Sequence, residues 1–185
     1  LAAGTGAGTG AATANRFDPA SAPVLRRGSR GDFVAYLQEL LIAPSDIMVS
    51  DFPIGYYPVN ERAKNYKTAF SEGNSFAHFL MFEQNVNYLK ESGWGIFIVP
   101  SDIFETDKTS VLMGWLKETV HIQAFLSLPE DLFHKNGMKK SIIIVQKNGE
   151  KSIQAEQVLL GEIPDLKNAQ KMQSFLDIFH NWSAK

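Results

Sequence analysis

Residues 46–56 read Asp-Ile-Met-Val-Ser-Asp-Phe-Pro-Ile-Gly-Tyr. Asp46 to Ser50 carries a short apolar centre and reads as a buried strand, and the chain then meets Pro53, Gly55 and Pro58, which cannot continue one. Open α/β sheets bind their ligands in the crevice beyond the carboxyl ends of their strands. The loop from Ser50 to Tyr56 is therefore the first candidate for a site. Asp51 is predicted to face that crevice from directly behind a central parallel strand.

Downstream, Phe76, Phe79, Leu80, Phe82, Val86 and Leu89 lie at helical spacing, with Ser75 as the N-cap and Gly93 beyond the end. Trp94 to Val99 reads as a buried strand stopped by Pro100. A helix over Lys108 to Glu118, a strand over His121 to Leu128 and the β-branched strand Lys140 to Gln146 follow. Strands alternating with helices imply a mostly parallel sheet. The segment between the last two of these strands is too short for a helical crossover, so that pair is predicted to be antiparallel. A short strand over Gln157 to Leu160 and a helix over Asn168 to Trp182 complete the pattern.

Upstream, Phe33, Val34, Leu37, Leu40 and Leu41 recur at helical spacing. Before them the first 31 residues are rich in Ala, Gly, Thr and Arg, are broken by Pro19, Pro23, Gly28 and Gly31, and read as an irregular segment. The expected organisation is this segment, 1–31, followed by one domain over 32–185. A chain of 185 residues with 44% hydrophobic content can bury one substantial core. The absence of cysteine excludes disulfides, thiolate metal sites and a cysteine nucleophile, and fits the cytoplasm. No apolar run reaches the length of a membrane helix. The net charge of −2 lacks the general basic excess that drives unassisted binding to phosphate backbones. The four histidines, His78, His121, His134 and His180, show no metal-ligand spacing, so no metal is expected.

In its setting, Asp51-Phe52-Pro53-Ile54 resembles the D/N/S-P-P-Y/F loop of N6-adenine DNA methyltransferases. With the following Gly55-Tyr56 it is similar to the loop of type I restriction-modification methylation subunits. The runs HFLMFEQNVNYLKESGWGIFIVPSDIF and FLSLPEDLFHKNGMKKSIIIVQK resemble the region after that loop in the same proteins. There a helix, a strand ending in Val-Pro, and a Leu-Pro-x-x-x-Phe turn before an antiparallel strand recur in this order. The resemblance implies the C-terminal part of a Rossmann-like class I methyltransferase domain. Its sheet would be mostly parallel with an antiparallel final strand, and its N-terminal part incomplete. It also implies S-adenosylmethionine as cofactor and methyl transfer to an exocyclic amino group.

By that resemblance Asp51 accepts hydrogen bonds from the amino group, Phe52 and Pro53 occupy the two proline places, and Ile54 takes the place of the aromatic that stacks on a flipped base. Phe52 and Ile54 depart from the pattern, and Tyr56 or Tyr57 is the remaining candidate to bind the base. Ala3-Gly4-Thr5-Gly6 looks like the end of the cofactor motif D-P-x-x-G-x-G, whose glycines admit the cofactor close to the backbone. Only about 45 residues separate Gly6 from Asp51, and no acid for the cofactor ribose stands out among them. Lys135, Lys139 and Lys140 flank Gly137 near the active face, where they could touch phosphate. The implied partners are DNA, held weakly without a recognition domain, and a protein that supplies specificity. The departures also imply an alternative: a catalytically degenerate methyltransferase fold acting as a binding or interaction module.

Overall fold

The computed structural model describes residues 44–133 and 139–183. The segment 1–31, with Ala3, Gly4, Thr5 and Gly6, the helical pattern over 33–41, and His134, Lys135 and Gly137 lie outside the described residues.

The described chain runs β1 (Ser45–Asp51), α1 (Asn60–Ala63), α2 (Ala77–Asn87), β2 (Leu89–Pro100), α3 (Thr109–Thr119), β3 (Val120–Ser127), a 3-10 turn (Glu130–Leu132), β4 (Lys140–Lys147), β5 (Leu159–Glu162) and α4 (Ala169–Ser183). The five strands form one sheet in the order β1-β2-β4-β3-β5. β1 pairs parallel with β2, and β5 parallel with β3. β4 lies between β2 and β3 and runs antiparallel to both. Four strands thus share one direction and β4 opposes them, the mostly parallel arrangement that the alternation predicts. The antiparallel strand is interior because β2 and β3 flank it, and the short β5 that follows it in sequence pairs parallel on the outer side of β3. β1 is not central among the described strands: it borders the sheet.

Register decides which residues share a face. Met48 lies opposite Gly95 and Ser50 opposite Phe97, while Phe97 lies opposite Ile143 and Gly95 opposite Val145. On this face the strand residues Phe97, Val99, Ile143 and Val145 meet Phe79, Phe82 and Val86 of α2 and Leu112, Trp115 and Leu116 of α3 in one buried cluster. Each such side chain contributes about 1.5–3 kcal/mol of burial. On the other face Ile47 and Trp94, Val49, Ile96 and Ile144, and Ile98 and Ile142 form cross-strand rows. Ile47 and Val49 on that side are 61% and 72% exposed.

Two local expectations are corrected. Ser75 does not cap α2, whose N-cap is Phe76. The Ser75 hydroxyl instead accepts a hydrogen bond from the Phe70 amide at 2.8 Å, closing the turn before the helix. β2 also begins at Leu89, not Trp94, so Gly93 lies inside a strand rather than beyond a helix. A β-carbon at Gly93 would sit 2.9 Å from the Lys90 carbonyl oxygen and 3.0 Å from that of Asp46, which explains a glycine there.

Candidate functional site

β1 ends at Asp51 and β2 at Pro100, while the opposed β4 begins at Lys140, directly across from Pro100. An antiparallel strand in a parallel sheet delivers its first residue to the edge where its neighbours end. That geometry brings Lys140 beside Asp51, 89 residues away in sequence. The Lys140 Nζ donates to Asp51 Oδ1 at 2.5 Å. The two side chains are unequally placed: Lys140 is 9% exposed and Asp51 59%. The main chain fixes both ends, since the Phe52 amide donates to the Ile98 carbonyl at 2.9 Å and the Leu128 amide to the Lys140 carbonyl at 3.0 Å. A hydroxyl pair, Ser101 and Ser141, lies at 2.8 Å on the same edge.

The loop after Asp51 scatters its side chains. Phe52 is fully buried, stacked on Phe97 with ring centroids 4.9 Å apart and edge-on to Phe82 at 5.6 Å. Pro53 is exposed and Ile54 is 49% exposed. Gly55 has φ of 123°, a left-handed conformation that favours glycine. The Gly55 carbonyl accepts from the Ala77 amide at 2.8 Å, and the Tyr57 amide donates to the Ser75 carbonyl at 2.8 Å. The loop is thereby sewn to the start of α2. This seam lays Tyr56, 63% exposed, against Phe76 with centroids 5.0 Å apart. Tyr57 is half-buried.

Tyr56, Phe70 and Phe76 line a cavity of about 520 Å³ together with Glu72, Asp107 and Lys108. The Lys108 ammonium lies 5.9 Å from the Phe70 ring centre. Behind this wall His78 is buried and stacked on Phe76 at 5.1 Å. Burial lowers its pKa to about 4, against the opposing pull of Asp102, so its ring is neutral near pH 7.

The structure thus brings Asp51 to the sheet edge and Tyr56 to an aromatic wall, and turns Phe52 into the core. In the sequence Lys140 stands at the start of a predicted strand and among three lysines flanking Gly137, with nothing to pair it with Asp51. The antiparallel pairing was the signal that could have placed it next to Asp51. Phe70 and Phe76 became wall residues only once the seam from Gly55 to Ala77 was visible.

A four-up, one-down sheet with α2 and α3 on one face and a Pro/Gly loop at its carboxyl edge defines a class I methyltransferase-like fold. The chain belongs to the N-6 DNA methylase family, whose model matches residues 41–181. It is 37% identical over 149 residues to the uncharacterized protein YtxK of Bacillus subtilis, covering 80% of this chain and 45% of that protein. It is also 37% identical, with a TM-score of 0.71, to a Listeria monocytogenes structure described as a class I S-adenosylmethionine-dependent methyltransferase, covering 77% of this chain and 44% of the other. A type I restriction enzyme modification subunit from Vibrio vulnificus shares the fold at 13% identity and a TM-score of 0.56, covering 77% of this chain and 32% of the other. The chain therefore spans less than half the length of these relatives.

Proposed function

We propose that this chain carries the substrate-side half of a cytoplasmic S-adenosylmethionine-dependent methylase that acts on the N6 amino group of adenine in DNA. The observation that supports the reading best is Asp51: an exposed carboxylate at the carboxyl end of a strand, with one oxygen held by Lys140 and the other without a hydrogen bond among the described residues. A carboxylate is an acceptor only, so it matches an amino group that must donate. By accepting an N–H, Asp51 directs the nitrogen lone pair away from itself and towards an incoming electrophile, and fixing that geometry supplies much of the rate. The cofactor supplies the activated methyl group, and Ala3, Gly4, Thr5 and Gly6 are the residues proposed to hold it. Phe52 anchors the loop from below, Pro53 stiffens it, and Tyr56 or Tyr57 offers a ring to a flipped base. DNA is held weakly, and a second protein supplies sequence specificity.

Ile54 favours a second reading. Standing where an aromatic would stack, it forgoes about 1–3 kcal/mol for a flipped base, while unstacking that base still costs a few kcal/mol. The fold would then serve as a binding module that retains cofactor affinity without useful turnover.

One experiment separates the two readings. The protein is incubated with radiolabelled S-adenosylmethionine and mixed-sequence DNA, and N6-methyladenine is quantified alongside calorimetric titration of the cofactor. Slow methylation that Asp51→Ala lowers at least about 100-fold supports the first. Cofactor binding with no product supports the second. Product formation unchanged by Asp51→Ala removes Asp51 from the reaction.

A further inference from the structure

We propose that Lys140 is a positioning residue that sets Asp51 as an oriented acceptor, an inference that rests on the substrate role given to Asp51 above.

Lys140 is 9% exposed and Asp51 is 59% exposed, with 2.5 Å between Nζ and Oδ1. An ion pair formed only for surface solubility would leave the ammonium in water, as in Lys90 with Asp46, whose side chains are 51% and 80% exposed. Here the lysine side chain is the one withdrawn from water, and the carboxylate stays at the surface. The Lys140 side chain is nearly buried, so little water is at hand to replace the carboxylate, and losing Asp51 would leave its charge uncompensated. Its grip falls on Oδ1. Oδ2 makes no hydrogen bond among the described residues and belongs to the exposed end of the pair.

Alternation explains why the lysine reaches this oxygen. Ile98 lies opposite both Asp51 and Ile142, and Lys140 is two residues before Ile142 on the same face of β4. Lys140 and Asp51 therefore project from the same side of the sheet, with β2 between them. The lysine stem lies along the sheet surface and its tip reaches the carboxylate. The backbone of Lys140 is held by β2 and by the Leu128 amide. The ammonium is thus fixed to a rigid element, and Asp51 is fixed through it. A flexible Asp at a strand end samples several rotamers. Tied at Oδ1, it presents Oδ2 in one direction, which is what recognition of a single amino group requires.

Replacing Lys140 should act through Asp51 and not on its own. Lys140→Met is expected to lower kcat about 100-fold with the calorimetric affinity for S-adenosylmethionine unchanged, and Lys140→Arg to recover most of the loss. In an Asp51→Asn background, Lys140→Met should change kcat by less than about 3-fold, since the group it positions is already gone. A second readout is independent of turnover: fluorescence titration with a single-stranded oligonucleotide bearing one adenine, compared with one bearing purine, which lacks the amino group. The wild type should prefer adenine, and Lys140→Met should erase that preference.

Additive losses in the double variant overturn the inference. So does a Lys140→Met effect that weakens both oligonucleotides equally and flattens the salt dependence, because the lysine then acts on phosphate. If the wild type forms no methyladenine yet prefers adenine, and Lys140→Met erases that preference, the proposed activity fails while the positioning role stands. If the wild type methylates and Lys140→Met is equally active, the activity stands and the positioning role falls.

Discussion

Asp51, Lys140 and His78 show how burial sets the behaviour of single residues around this edge. Removing Asp51 leaves the nearly buried Lys140 side chain without its counter-charge, so a loss of activity in Asp51→Ala must be read beside its stability. His78 follows a different rule, because its charge is excluded rather than paired. Its ring is buried and its Nδ1 makes no hydrogen bond among the described residues. Its pKa falls from 6.5 to about 4 through desolvation, which outweighs the favourable charge of Asp102. An unfolded chain takes up the proton near pH 6.5 and the folded chain does not until about pH 4, so the unfolded state binds more protons in that window. Stability is therefore full above about pH 6.5 and declines as the pH falls towards 4. Urea denaturation at pH 7.0, 5.5 and 4.5 should show the midpoint dropping. His78→Phe should drop less steeply over the same interval, and an equal slope would mean that other groups, the carboxylates among them, account for the whole decline.

The loop from Asp51 to Tyr57 is an element defined by what holds it. Phe52 fixes one end in the core against Phe82 and Phe97, and Gly55 with Tyr57 fixes the other against residues 75–77. Phe52→Ala should destabilise the fold by about 3–5 kcal/mol. Gly55→Ala should cost about 1–3 kcal/mol through backbone strain alone, because nothing lies within 4 Å of the added carbon. Thermal melts of the two variants check both, and a Gly55→Ala variant of wild-type stability would mean that the loop relaxes to a negative φ. These same elements show what the sequence carries. β4 was legible because Ser-Ile-Ile-Ile-Val is nearly all β-branched, and its direction followed from the short connection before it. α3 and α4 kept helical spacing to within a residue of their ends. Phe52 was read as a stand-in for proline at a site, because local spacing cannot tell a core anchor from a loop residue. Ser75 was misplaced because its hydroxyl serves the turn at Phe70, a contact outside the helix pattern. The Asp51–Lys140 pair spans the sheet, and no window of sequence contains both.

At the scale of the whole described body, the two faces of the sheet are treated differently. One is filled by α2 and α3, and the other presents rows of Ile and Val that end in the exposed Ile47 and Val49. Parallel strands are ordinarily covered on both faces, and contiguous exposed apolar surface promotes association. A net charge of −2 offers little repulsion to oppose it. The chain on its own should therefore bind the dye ANS and sediment as a mixture of monomer and larger species. Replacing Ile47 and Val49 together by Thr keeps the β-branched shape that suits a strand while removing apolar surface. Since both side chains already face water, the double variant should change unfolding free energy by no more than about 0.5 kcal/mol per site. Dye binding should fall and the monomer fraction should rise. A loss of more than about 2 kcal/mol, the range of a truncated core side chain, would instead mean that Ile47 and Val49 are covered in solution, with the sheet closed on its second face.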